Sequence, residues 1–129
     1  MRLLLSLLAG LFIGALVAFS AANALSQRNA WQRGVMHILQ HHLDELRRQQ
    51  RSGDCTAARS APRFRRLAET AADIGPSRPD EKPDYHDQAR RFIELGARLG
   101  AEPPADCRAL DAAMQQIGNA CKDCHRDYR

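Results

Sequence analysis

Cys121-Lys122-Asp123-Cys124-His125 stands near the end of the chain, and the residues that lead into it carry the period of a helix. Leu110, Ala113 or Met114, Ile117, Cys121 and Cys124 recur at steps of three and four, which places them on one face. The two thiols therefore extend the apolar stripe of a helix (helix D, beginning near Asp106) and do not interrupt it. No stretch of the chain shows the alternation of a strand, so the fold class is all-α.

Working back from this segment, Ala101 to Ala105 holds Pro103-Pro104 and reads as a turn. Helix C starts after Asp84, which suits an N-cap. Its face is Tyr85, Ala89, Phe92, Leu95 or Gly96 and Leu99, and Gly100 is its stop. Gly75 to Pro83, with three prolines and a glycine, is a loop. Helix B covers roughly Asp54 to Ile74, with Phe64, Leu67, Ala71 and Ile74 as its stripe; Pro62 either kinks it or marks its first turn. Helix A runs from about Ser26 to Gln50, with Trp31, Val35, Ile38 or Leu39, His42 and Leu46 recurring along it. Gly53 closes it, and Asp54 can cap the next start. Four amphipathic segments with short connections predict an antiparallel up-down-up-down four-helix bundle over residues 25–129.

Residues 3–22 carry no charge and follow Arg2. Ala22-Asn23-Ala24 is a cleavage pattern, so residues 1–24 read as a secretory signal. About 20 apolar residues can also span a bilayer, so an uncleaved membrane anchor reads equally well. Either way residues 25–129 lie outside the cytoplasm, in the periplasm or tethered to the membrane facing it. The net charge of +4 is mildly basic and its cations are dispersed, which gives nucleic-acid binding little support and suits an acidic partner protein.

The C-x-x-C-H spacing is the attachment signature of a c-type haem. Thiols almost one turn apart can both reach the vinyl groups as thioethers, and the adjacent imidazole of His125 then falls under the iron as proximal ligand. Rival readings of Cys121 and Cys124 are a redox dithiol, a disulfide or half a zinc site. Zinc lacks two further ligands at motif spacing, and a thioredoxin-like motif belongs where a strand meets a helix. The remaining cysteines, Cys55 and Cys107, follow the A–B and C–D turns, which an up-down-up-down bundle brings to the same end. In an oxidising compartment they are expected to form a disulfide; the alternative is two buried thiols.

Ile117 to Arg129, a C-x-x-C-H followed by an aromatic and an Arg, resembles the ending of the class II c-type cytochromes, the cytochromes c′ and their low-spin relatives; Val35 to Leu43 is similar to their first helix. The resemblance implies a four-helix bundle with one covalent haem c. Aligning His42 with the family's first-helix histidine, it places Met36 over the distal face, either as an iron ligand or as a steric gate. It also places Arg129 near the proximal imidazole. Where the family usually has an Arg four residues before the distal position, this chain has Gln32, with Arg33 beside it. Family members are often dimers through their first two helices, which makes a homodimer possible. His37, His41 and His42 are rivals to Met36 as ligands. His42 shares a face with Leu39 and Leu46 and reads as buried and hydrogen-bonded, whereas His37 and His41 read as a solvated pair. The expected function is one-electron transport with a redox partner protein. The alternatives are a five-coordinate haem protein that binds NO or CO, and a haem-free thiol oxidoreductase. No nucleophile–base pair or phosphate loop appears, so turnover of an organic substrate is not expected.

Overall fold

A computed structural model describes residues 2–128, and of residues 2–5, 25 and 28 the backbone alone. The elements are α1 (Arg2–Arg28), α2 (Ala30–Arg51), α3 (Ala57–Ala71), α4 (Ile74–Ser77), α5 (Pro83–Ala101) and α6 (Cys107–Tyr128). No strand occurs among the described residues. The chain divides into two compact units, Met1–Arg33 and Gly34–Arg129.

The boundaries follow local chemistry. Asp106 caps α6 by accepting from the backbone N–H of Ala109 at 2.8 Å. Gly53 closes α2 with φ +74°, a left-handed conformation open to glycine at no steric cost. The start of α5 lies before Asp84: Pro83 takes the first helical position, where its missing N–H is no loss, and Asp84 falls in the acidic first turn. Asp54 likewise stands outside α3, whose N-cap is Thr56. It accepts from the Thr56 hydroxyl at 3.2 Å and pairs with Arg59 at 3.0 Å, bracing the turn that feeds the helix. Pro62 lies inside α3, past its first turn, with its ring exposed. The expected loop after Ile74 contains most of the one-turn α4, in which the Ser77 hydroxyl donates to the Ile74 carbonyl at 2.7 Å.

Within Gly34–Arg129, Leu46, Phe64, Leu67, Leu110 and Ile117 are sealed from solvent. Tyr85 joins them because its hydroxyl donates to the Ile74 carbonyl at 3.1 Å, which satisfies the buried phenol. In the predicted helix-A stripe Leu39 takes the buried place and Ile38 is 49% exposed. Trp31, expected on the same stripe, is 54% exposed and belongs to the N-terminal unit, so the core face of α2 begins at Val35. Two glycines let α3 and α5 approach closely. A Cβ on Gly96 would lie 3.2 Å from both Cβ and N of Ala68, and one on Gly100 would lie 2.6 Å from Cγ of Arg65. Gly100, read as a stop, is therefore a packing residue inside α5, which runs on to Ala101.

Other pairs of helices meet through longer side chains. Arg63 of α3 reaches Glu45 of α2 at 3.4 Å, Gln50 of α2 donates to Asp111 of α6 at 2.9 Å, and Gln88 of α5 donates to Asp127 of α6 at 3.2 Å. Cys55 and Cys107 meet at disulfide distance with their Cα atoms 5.0 Å apart, tying the entry to α3 to the first residue of α6. Replacing both by Ala should lower the unfolding free energy by up to about 4 kcal/mol, the chain-entropy estimate for a crosslink spanning 52 residues. Urea unfolding of the oxidised protein measures this, and a loss below about 1 kcal/mol would count against a constraining bridge. Gly100→Ala should cost about 1–3 kcal/mol in the same assay, because the new methyl would lie 2.6 Å from Cγ at the base of the Arg65 side chain and 3.1 Å from its backbone N.

Candidate cofactor site

A cavity of ≈ 250 Å³ opens between α2, α5 and α6. From α6 it is lined by Cys121, Cys124 and His125; from α2 by Met36, Leu39 and Leu43; and from α5 by Ala89 and Phe92. The helical period explains the convergence from the α6 side. Leu110 and Ile117 are fully buried, so the same stripe carried on to Cys121 and Cys124 must face the space beyond them. Both thiols are half-buried and unpaired. His125 stands exposed at the rim, and Met36 packs half-buried against the core. Gly118 widens the space: a Cβ there would meet nothing within 4 Å. Arg129, expected near the proximal imidazole, lies outside the described residues.

The last turn of α6 is fixed by contacts that sequence reasoning did not find. The Tyr128 hydroxyl donates to Asp84 at 3.0 Å, and its ring meets Tyr85 edge-on at 5.2 Å. Arg78 lies 5.6 Å over the Tyr85 ring and donates to the Tyr128 carbonyl at 3.2 Å. Desolvation and the Asp84 carboxylate push the Tyr128 phenol up to about 12. Tyr85 stood on the expected face of helix C, but Arg78, in a stretch read as a loop, offers no periodicity from which its role could be read.

Electrostatics separate the readings of the two thiols. Burial, reinforced by the neighbouring Cys124, pushes Cys121 up, with Arg47 opposing. Burial and the nearby Asp127 carboxylate push Cys124 up. Both are thus protonated near neutral pH, the reverse of the low-pKa thiolate that a dithiol oxidoreductase uses. Among the described residues no group of three or more His, Cys, Asp or Glu side chains is placed to hold a bare metal ion. A thioether-bound porphyrin asks less of the protein: two thiols, an axial imidazole and an apolar slot.

Of the four distal candidates on α2, Met36 lines the cavity and the histidines do not. His37 and His41 are exposed. His42 is buried, as expected, but its Nδ1 has no hydrogen-bond partner. Burial holds its pKa below the usual imidazole range, helped by His41, Arg63 and Arg66 and opposed by Glu45.

Comparison with protein-family models, curated proteins and solved structures finds no match to this chain. The reading of the site therefore rests on its residues and on where they lie.

The lowered pKa of His42 has a signed consequence. Below an unfolded pKa near 6.5 the unfolded chain gains a proton that the native chain resists. Its contribution to stability is therefore present above that pH and is lost as pH falls through the native value. His42→Leu should flatten the decline of unfolding free energy between about pH 7 and pH 5, measured by urea titration at several pH values. An unchanged slope would show that other groups carry it.

Proposed function

We propose that this protein is an exported c-type cytochrome that carries one electron on a haem held by Cys121, Cys124 and His125. One observation carries the reading: two unpaired half-buried thiols, an imidazole and a thioether line the same cavity. That donor set fits a covalent porphyrin. The thiols of Cys121 and Cys124 would bind its vinyl carbons, His125 would supply the proximal nitrogen, and Leu39, Leu43, Ala89 and Phe92 would exclude water from its faces. When bound, haem supplies reversible one-electron chemistry at its iron.

The proposed architecture is the antiparallel up-down-up-down bundle of α2, α3, α5 and α6. Contact order supports it. Residues 45 and 49 of α2 meet Arg63 and Thr56, so sequence number rises along one helix as it falls along the other. Residues 96 and 100 of α5 meet 68 and 65 of α3 in the same sense. The bridge between Cys55 and Cys107 joins the starts of the two helices that would run the same way. This arrangement, the motif and the position of Met36 together underlie the proposed kinship with class II c-type cytochromes. Residues 3–22 bring the rest of the chain to the compartment where such haem is attached, whether they act as signal or as anchor.

Met36 is the proposed distal residue, where a bound thioether sulfur would favour ferrous iron and raise the potential. The test is co-expression with a c-type haem maturation system. The purified chain should keep its colour through denaturing electrophoresis, and Cys121→Ser combined with Cys124→Ser should abolish that. A colourless wild-type chain would sink the proposal. Met36→Leu should convert a low-spin ferric spectrum to high-spin, lower the midpoint potential and speed CO binding. A wild-type protein that is already high-spin would instead assign Met36 as a gate and favour gas binding.

A further inference from the structure

We infer that α1 is retained in the mature protein as a membrane anchor, with a phospholipid bilayer as the partner of its apolar surface. Ser6–Ala24 is a 19-residue stretch long and apolar enough to cross a membrane, and none of it is buried. The core helix of a soluble domain would hide such a stretch; here Leu7, Leu11, Phe12, Val17 and Phe19 are each more than 60% exposed. At helical rise the stretch covers about 28 Å, close to the roughly 30 Å hydrocarbon thickness of a bilayer.

Two features separate an anchor from a cleaved leader. A leader has an apolar core of about 7–15 residues, shorter than this one. A leader peptidase also needs its site presented as accessible, extended backbone, and here Ala22-Asn23-Ala24 lies inside α1, which continues to Arg28. No proline or glycine separates Phe19 from Arg28 to break the helix. The residues that follow suit a membrane–water interface. The Arg33 guanidinium donates to the Ser26 backbone carbonyl and lies 3.4 Å from the Ser26 hydroxyl, satisfying an acceptor near the end of α1. Trp31, the one tryptophan of the chain, is 54% exposed in the same unit, and tryptophan is enriched at headgroup level.

The span stands on these observations alone. That Gly34–Arg129 faces the compartment of haem attachment rests on the proposed function. The experiment is expression of the full chain with a c-type maturation system, followed by alkaline carbonate extraction and intact mass. The expected product begins at Met1 and stays in the membrane pellet. A chain beginning at Leu25 in the soluble extract would overturn the inference. Ala24→Leu blocks cleavage and should leave the distribution unchanged; movement of the protein from the soluble fraction into the membrane would equally overturn it. The same mass spectrum reports covalent haem. A membrane-bound chain without it therefore supports the anchor and fails the cytochrome reading, whereas a soluble haem-bearing chain from Leu25 does the reverse.

Discussion

Helical phase on α6 is the constraint from which the site follows. Leu110 and Ile117 are fully buried, and the helix is continuous to Tyr128. With 3.6 residues per turn, fixing the first half of the stripe fixes the azimuth of Cys121 and Cys124 without any further interaction. What remains free is the end of the rod, where fraying would blur the position of His125. The Tyr128–Asp84 hydrogen bond, the Tyr85 ring and Arg78 hold that end against α5 and the segment before it.

The same unit contains a close helix pair and a separated one. Between α3 and α5, Gly96 and Gly100 admit the backbone of the neighbour at distances where a methyl group would collide. Between α2 and α6 the bridging contact is a long one, Gln50 to Asp111, and farther along the two helices stand apart around the cavity. Close packing is known to penalise voids, so a gap lined by Leu39, Leu43 and Phe92 stores a deficit of dispersion contacts. A flat apolar group seated there would restore them, and a chain with only 5% aromatic residues has few rings of its own to fill such a space.

The four amphipathic segments, the start of the last one near Asp106, the stop at Gly53 and the meeting of Cys55 with Cys107 were legible because each depends on spacing or on intrinsic backbone preference, whereas the one-turn α4 lay in a stretch read as a loop. The start of α5 was misplaced by two residues, at Asp84 instead of Lys82, because Pro83 and Asp84 both favour a first turn and sequence alone cannot rank them. Gly100 was misread because a glycine that permits close packing looks the same as one that ends a helix. Trp31 was misplaced because an apolar residue at helical spacing does not reveal which unit it serves. Met36, Cys121, Cys124 and His125 were nameable, but that they line one cavity is tertiary information, as are the contacts of Arg78.

His42 shows how the two faces of α2 divide the work. A helix presenting a neutral imidazole and a thioether to one iron would offer competing ligands, and imidazole binds ferric iron well. Here the imidazole of His42 is turned into the packed side of α2, near Arg63 and Arg66, whose charges disfavour its protonation. Its Nδ1 is left without a partner, and a buried polar atom in that state costs about 1–3 kcal/mol. With the histidine sequestered there, the cavity side of α2 presents Met36 as its one thioether, and in the proposed cytochrome the choice between bonding and blocking would fall to that residue.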